Sequence, residues 1–369
     1  MRHVNRWTVA LGLAGSAVYL AGCGTAAQPH GPSGQAAQGA ASAQTAAVPL
    51  KREAVNFAFP ADAYSPAAGF LCPTPGVHVP GGPKAGSYEL GRIWATALHA
   101  YLPQPNPAPY RETYDEQASG NWIAWQDVTM DMSDGQTRVD VYNTQTRRAS
   151  EVWRASPATG VLLKMQLVGD HLYELTQKVE GSGAQAALET TLYERNLASG
   201  ASSTVMRRTG QGRSQVISDF AVDGSQVALV LERAQDVLRV AQNIPFTVQI
   251  VNLADGHATT VAQGSNENPT TLHAADGVIA WSSNAGGVEA YDEEKGKLWN
   301  VTSVPSYVAV GGHEVWWHAI NSQAYGGLDV RTGARLRFAQ AVKPVGIAIS
   351  NGVGIVNTER DTYTFTPGA

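Results

Sequence analysis

The segment His313-Glu-Val-Trp-Trp-His318 contains the residue types that bind zinc in metalloproteases. That chemistry needs two histidines about four residues apart on a helix, so that both face the metal. Here the histidines are five positions apart, and the branched and aromatic residues between them predict a strand. On a strand Glu314 and His318 share one face, and His313 lies on the other. We expect structural roles for both histidines, with a ligand contact of these three residues at the strand end as the alternative.

Other residues that could do chemistry lack the required spacing. The acidic cluster of Asp127, Asp131 and Asp134 does not match a calcium-binding loop, and we interpret it as a solvated turn. Neither the Gly-x-Ser-x-Gly turn of hydrolases nor a phosphate-binding glycine loop is present. The two cysteines, Cys23 and Cys72, exclude a disulfide framework and a Cys-rich metal site. We therefore predict no catalytic residue, no metal and no cofactor, and leave open whether the protein is an enzyme.

A column of polar residues recurs on strands that we predict to lie innermost in the fold. Counted back from a recurring turn, its positions hold Asp115, Lys164, Asp219, Thr271, Tyr307 and Val345. Two positions later the same face holds Gln117, Gln166, Ala221, His273, Ala309 and Ile347. The simpler interpretation is that these groups hydrate a central channel. The alternative is that Asp115, Lys164 and Asp219 converge at one channel mouth, and that these three and His273 bind a polar ligand.

These residues belong to a repeated unit of short strands. A turn followed by a short apolar strand recurs six times, in segments that start at Gly120, Gly169, Gly224, Asp276, Gly312 and Ser350. Consecutive units are 36 to 55 residues apart, and most contain a second hairpin whose turn ends in glycine. Four short strands per unit, repeated around a ring, predict an all-β fold: a β-propeller of about six four-stranded blades.

We expect the ring to be closed by a strand from the N-terminal part of the domain. The last unit, residues 343–367, has room for only three strands. The missing outer strand is expected from Ala54–Phe59 or from Tyr88–Trp94. Residues 60–110 are rich in proline and glycine, and they form either a cap or a degenerate further blade. The prediction is therefore six blades, or seven if this segment supplies one.

The N-terminus has the features of a targeting signal. Three positive or titratable residues precede an apolar stretch, Thr8–Tyr19, which is too short to span a membrane. The following Leu20-Ala-Gly-Cys23 resembles the lipobox of bacterial lipoproteins, in which the cysteine carries a diacylglycerol. The resemblance implies a signal peptide over residues 1–22 and an extracytoplasmic protein, lipid-anchored through Cys23 to the cell membrane or envelope. Residues 23–50 contain no charged side chain and predict a flexible tether, which leaves residues 51–369 for the propeller.

The charge composition argues against nucleic acid as a partner. Only 15% of the residues are charged, the formal net charge is −5, and no basic stripe is present. The expected partners are therefore the membrane, through the lipid anchor, and an envelope protein or a glycan.

One unit resembles a known type of repeat. Residues 277–299, from Gly-Val-Ile-Ala-Trp to Gly-Lys-Leu-Trp, resemble a repeat of the PQQ-like propellers, and Gly327-Leu-Asp-Val-Arg-Thr-Gly333 matches part of it. TolB-like propellers share this loose pattern. The resemblance implies the propeller architecture, and it fits a binding or scaffolding module for protein or glycan. The sequence lacks the vicinal cysteines of quinoproteins, so a quinone cofactor is not expected. A quinoprotein-like or glycan-cleaving enzyme and a solute-sensing accessory protein are the alternatives.

Overall fold

The computed structural model describes residues 45–53, 61, 63–73, 92–105, 111–129, 137–182, 186–237, 244–266, 269–283 and 287–368. The chain divides into two units, Met1–Gln44 and Thr45–Ala369. The first unit, with Cys23, the expected signal peptide and most of the expected tether, lies outside the described residues. In the part that is described, no helix has the length and apolar character needed to cross a membrane.

The second unit contains seven sheets of four or five strands, which we call blades 1 to 7. Two short strands come first, β1 (Thr45–Val48) and β2 (Lys51–Arg52). Blade 1 contains β3 (Ala63–Ser65), β4 (Gly69–Pro73), β5 (Ile93–Ala95) and β6 (Ala100–Tyr101). Blade 2 contains β7 (Arg111–Ser119), β8 (Trp122–Thr129), β9 (Thr137–Asn143) and β10 (Arg148–Arg154). Blade 3 contains β11 (Val161–Val168), β12 (His171–Glu180), β13 (Ala187–Asn196) and β14 (Ser202–Gly210).

The remaining blades repeat this plan. Blade 4 contains β15 (Gln215–Asp223), β16 (Gln226–Arg233), the helix α1 (Ala234–Val237), β17 (Ile244–Asn252) and β18 (Ala258–Asn266). Blade 5 contains β19 (Pro269–Ala275), β20 (Val278–Ser283), β21 (Gly287–Asp292) and β22 (Lys297–Thr302). Blade 6 contains β23 (Ser306–Gly311), β24 (Glu314–Ala319), β25 (Tyr325–Asp329) and β26 (Arg335–Phe338). Blade 7 contains β27 (Gly346–Ser350), β28 (Val353–Asn357), β29 (Thr362–Phe365) and β2.

The blades form a ring. The first strand of every blade contacts the first strand of the next, from β3 through β27 and back to β3. These seven strands are therefore the innermost ones and surround a central channel. The structure confirms the all-β propeller and selects seven blades, because strands β3, β4, β5 and β6 form the additional blade. Its strands are only two to five residues long, and the sequence pattern is too short there to reveal a repeat.

The ring is closed by an N-terminal strand, as predicted. That strand is β2, in which Lys51 and Arg52 pair antiparallel with β29. The candidate Ala54–Phe59 lies outside the described residues. The other candidate, Tyr88–Trp94, is wrong, because Trp94 lies in β5 of blade 1 and pairs there with Cys72 of β4. A buried indole in blade 1 cannot also form the outer edge of blade 7.

A second N-terminal strand was not expected. Within the segment predicted to be a tether, β1 pairs in parallel with β26 and adds a fifth strand to blade 6. The side-chain amide of Gln340 fixes the chain between β1 and β2. It accepts a hydrogen bond from Leu50 N and donates one to Leu50 O, both at 2.9 Å. The N-terminal chain therefore joins blades 6 and 7.

The core consists of apolar layers between neighbouring blades. Strand residues alternate between the two faces of a sheet, and both faces of a blade are covered by other blades. The largest side chains that are fully buried are Trp125, Trp281 and Trp316. Cys72 is also buried, with 1% of its surface exposed, and it is a free thiol. Cys72 is therefore a small residue of the core.

The two faces of the ring differ in their connections. Two-residue turns such as 120–121 and 169–170, and the short turns between third and fourth strands, lie on one face, which we call the turn face. The described parts of the connections between second and third strands, residues 181–182 and the helix α1, lie on the opposite face, which we call the loop face. At the turn face positive φ is required, as at Asp276 (φ 55°) and Gly277 (φ 76°), which explains the recurring glycine, aspartate and asparagine.

The interpretation of the acidic cluster as a solvated turn is wrong for Asp127. This residue lies inside β8, pairs with Thr113 and Arg138 on the two flanking strands, and is 1% exposed. The strand continues to Thr129, further than the turn-like sequence suggests. Asp131 and Asp134 lie outside the described residues.

Candidate functional site

The innermost strands of blades 2 to 5 are irregular near their loop-face ends. In each of them the pairing with the second strand shifts register, whereas the innermost strands of blades 6 and 7 pair without a shift. The shifts lie between Tyr114 and Gln117, Leu162 and Lys164, Ile217 and Asp219, and Pro269 and Thr271. A bulge bends a strand and changes the direction of the side chains beside it. The polar column of the sequence lies at or directly after these bulges.

Lys164 and Asp219 are brought together across two blades. The Lys164 Nζ lies 2.8 Å from the Asp219 Oδ1 and donates to Leu272 O of blade 5 at 2.7 Å. The Asp219 Oδ2 accepts a hydrogen bond from Leu272 N at 2.9 Å, and its Oδ1 accepts one from Phe220 N. Both side chains are largely buried, at 15% and 13% exposure. This ion pair therefore connects blades 3, 4 and 5 at the channel.

Asp115 is held in blade 2. Its carboxylate accepts hydrogen bonds from Gln126 Nε2 at 3.0 Å and from Gln117 Nε2 at 3.3 Å. Gln117 also bonds the innermost strand of blade 3, through Met165 O and Leu167 N. The carboxylate of Asp115 thus positions an amide that links blades 2 and 3.

The same kind of link recurs at Gln166. Its side-chain amide pairs with both the N–H and the carbonyl of Val222 in blade 4, at 2.7 and 2.9 Å. His273 occupies the equivalent position in blade 5, where it lies opposite Ala280 and is half buried. In blade 7 the residue equivalent to Tyr307 is Gly346 and not Val345. Gly346 pairs with Asn357 of the second strand in the same register in which Tyr307 of blade 6 pairs with His318. Several members of the polar column therefore act as links between blades.

The residues of the histidine-containing segment are separated. Glu314 lies at the start of β24, where its Oε2 accepts a hydrogen bond from Trp316 Nε1 at 2.7 Å. His313 lies in the preceding turn and contacts Arg331. His318, at the other end of the strand, stacks on Tyr307 with ring centroids 5.0 Å apart. Burial lowers the pKa of His318 to about 4, so this imidazole is neutral at physiological pH.

A buried carboxyl group that the sequence did not indicate lies beside Asp219. Glu232, near the end of β16, is 1% exposed. Its burial, and secondarily the charge of Asp219, raise the pKa of Glu232 to about 7. Asp236 of α1 adds to this shift, and it is paired with Arg233 at 2.5 Å. The only available signal was the charged run that follows the apolar residues of β16.

A second buried carboxyl group lies in the neighbouring blade. Glu174 of β12 is completely buried, and its Oε2 is 3.5 Å from a guanidinium nitrogen of Arg195. Burial raises the pKa of Glu174 to about 7, although the positive charge of Arg195 opposes the shift. At equivalent positions other blades carry large apolar residues such as Trp125 and Leu229.

The arrangement as a whole is a polar channel mouth on the loop face of blades 3 to 5, lined by the ion pair of Lys164 and Asp219, with Glu232 buried behind it. In the part of the chain that is described, no three His, Cys, Asp or Glu side chains come close enough to hold a metal ion. The charged groups of the mouth are held rigidly by backbone and by one another. Such a surface can present fixed hydrogen-bonding groups to a ligand.

No protein-family model and no curated protein matches the sequence. Among solved structures, similar chains include the β-propeller domain of the Trilobed protease from Pyrococcus furiosus, with 11% identity, a TM-score of 0.47, and coverage of 74% of this chain and 86% of that one. TolB from Acinetobacter baumannii shows 10% identity and a TM-score of 0.37 over 69% and 79%. An oligogalacturonate lyase in complex with manganese shows 9% identity and a TM-score of 0.35 over 68% and 88%. The seven-bladed ring rests on the strand pairing described above, independently of these similarities.

Proposed function

We propose that this protein is an extracytoplasmic lipoprotein, anchored through Cys23, whose propeller binds or scaffolds a protein or a glycan at the loop-face mouth of the channel. The observation that carries the binding role is the joining of Lys164, Asp219 and Glu232 from two neighbouring blades around one end of the channel. The lipobox-like sequence at residues 20–23 supports the anchoring.

The geometry favours binding over catalysis. Lys164 and Asp219 neutralise each other and are held in place by backbone groups of blades 4 and 5. Glu232 is buried behind them. A catalytic acid or nucleophile must reach its substrate, whereas a fixed ion pair at a rim orients a partner without reacting.

The anchoring is tested by metabolic labelling with radioactive palmitate. The full chain should incorporate the label and fractionate with membranes, and Cys23→Ser should abolish both. Cys72→Ala is the matched control, because that thiol is buried in the core and should leave labelling unchanged. Labelling that persists in Cys23→Ser would contradict the anchor.

The binding role is tested by recovery of partners from envelope extracts and by binding to a glycan array. Lys164→Met combined with Asp219→Asn should lose the recovered partner or glycan, because the ion pair is removed without leaving a largely buried charge unpaired. Lys178→Met is the matched control, since Lys178 lies on the loop face and pairs only locally with Glu180. Equal recovery by both variants would contradict the assignment of the mouth. A small molecule that copurifies and is turned over, or a metal that copurifies, would instead favour the enzyme alternative.

A further inference from the structure

A cleft of about 240 Å³ lies between blades 4 and 5 on the turn face, away from the channel mouth. We call it the turn-face cleft. Its walls include Gln226, Ile250, His257, Val261, Tyr291 and Glu293. The volume is below the usual range for drug-sized ligands, about 300–1,000 Å³, and suits a single side chain or a small amine.

The cleft exists because blade 5 departs from the repeat. In several blades the first residue after the third strand donates its N–H to a carbonyl of the turn between the first and second strands. In blades 3, 4 and 6 this residue is apolar: Leu197, Leu253 and Val330. Each of these packs into the apolar layer shared with the preceding blade. Blade 5 has Glu293 there, with the same hydrogen bond to Gly277 O at 3.0 Å. A carboxyl group thus replaces the apolar residue that would fill the space.

Two polar groups of the cleft, the Glu293 carboxyl and the Gln226 amide, offer hydrogen-bond acceptors. The Gln226 side chain hydrogen-bonds the Glu293 carboxyl. The Gln226 Oε1 is buried and has no hydrogen-bond partner among the described residues. Asp223 lies near enough to act on Glu293 electrostatically, and its Oδ2 is fixed by Gly277 N at 2.7 Å. A buried acceptor without a donor is costly, so a bound donor would be stabilising here.

Among the described residues, no lysine or arginine lines the cleft. Burial raises the pKa of Glu293, and the negative charge of Asp223 raises it further. A neighbouring carboxylate has this effect because it disfavours the charged form of Glu293. Apolar surface from Ile250, Val261 and the ring of Tyr291 lies beside these acceptors. The cleft thus offers an apolar wall for a stem and a negative end for a charged head.

We propose that the turn-face cleft binds an alkyl group that ends in a cation: an alkylguanidinium or alkylammonium group, free or as the arginine or lysine side chain of a partner protein. Its head bonds the Glu293 carboxylate and the Gln226 Oε1, and its methylene groups pack on Ile250, Val261 and Tyr291. The site is on the opposite face from the channel mouth, so its occupancy is independent of the function proposed above.

The test is calorimetric titration of the full chain with n-butylguanidinium, and with n-butylurea as the neutral molecule of similar shape. The guanidinium compound should bind and the urea should not. Glu293→Gln should weaken binding about tenfold or more, because a charge-assisted hydrogen bond is lost. The matched control is Glu294→Gln, which removes the adjacent, exposed carboxyl group and should leave binding unchanged.

A second variant uses the repeat itself. Glu293→Leu introduces the residue that blade 4 carries at this position, so the variant should fold, pack the cleft and abolish binding. Arginine in a capped tripeptide then distinguishes the sources. Binding as tight as that of butylguanidinium assigns the site to a partner's side chain, and exclusion of the tripeptide assigns it to free alkyl cations. Equal binding of the urea, no binding of the guanidinium compound, or unchanged binding in Glu293→Gln would overturn the proposal.

Discussion

Replacing Glu174 by glutamine should change how the stability of the propeller depends on pH. The carboxyl group is completely buried in blade 3, and its pKa rises from an ordinary 4.5 to about 7. Because the folded-state pKa lies above the unfolded one, the folded protein binds more protons between these values. The stabilising contribution of protonated Glu174 is present below pH 4.5 and is lost as the pH rises through about 7.

The magnitude follows from the two pKa values. A difference of 2.5 units, at about 1.36 kcal/mol per unit, corresponds to about 3.4 kcal/mol in the free energy of unfolding. About 2.5 kcal/mol of it falls between pH 5 and pH 8, the range in which the protein is convenient to measure. Glutamine has nearly the same shape and cannot ionise. Arg195 loses its charged partner in the variant, but its side chain is 22% exposed and can reach water.

The assay is equilibrium urea unfolding, followed by tryptophan fluorescence at pH 5 and pH 8. Wild type should lose about 2.5 kcal/mol more than Glu174→Gln on going from the lower to the higher pH. Glu180→Gln, at the exposed end of the same strand, is the control and should behave as wild type. The reasoning would be refuted if Glu174→Gln kept the pH dependence of wild type.

Three further results are expected. Lys164→Met should destabilise the protein by about 3 kcal/mol, because the largely buried Asp219 loses its ion pair, and Asp219→Asn in the same chain should restore part of this in urea unfolding. Gly354→Ala should lower the melting temperature, because its Cβ would lie 2.2 Å from the ring of Phe365, and Phe365→Leu should partly rescue it in calorimetry. Cys72, whose thiol pKa is raised by burial and by Glu116, should react with a thiol reagent only after unfolding.

Each of these outcomes can fail separately. An Asp219→Asn change that adds its full cost to that of Lys164→Met would show that the two residues are not coupled. A melting temperature unchanged by Gly354→Ala would show that the ring of Phe365 moves freely. Rapid labelling of Cys72 in the native protein would show that blade 1 opens.

The repeat can be predicted from the sequence because a two-residue turn and the alternation of side chains between the two faces of a strand are local patterns. Blade 1 cannot be predicted in this way, because strands such as β5 and β6 are too short to show that alternation. The last blade was read one residue out of register. Its turn consists of Asn351 and Gly352, as that of blade 5 consists of Asp276 and Gly277, so counting back from Ser350 selects Val345 in place of Gly346.

The site was predicted less completely than the fold. The proximity of Lys164 and Asp219 follows from equivalent positions in adjacent blades, and the structure shows it. The links made by Gln117 and Gln166 depend on which backbone groups of the next blade they face, which no sequence pattern contains. Glu293 of blade 5 differs from the apolar residues at the equivalent position of blades 3, 4 and 6. That equivalence becomes visible only when the blades are compared in the structure. The binding of a ligand by Asp115, Lys164, Asp219 or His273 stays a prediction.

The pairing of β2 with β29 has a consequence for the order of folding. Arg52 and Asp361, which form an ion pair at this junction, are 309 positions apart in the chain. Bringing the ends of so long a loop together costs about 5 kcal/mol of chain entropy, whereas each blade closes over a few tens of residues at a cost of about 3 kcal/mol. Strand β2 must therefore wait, unpaired, until the last strand, β29, has been synthesised. Ring closure becomes the final and slowest step, and the interval before it is when the unpaired edge of blade 7 is most exposed to aggregation.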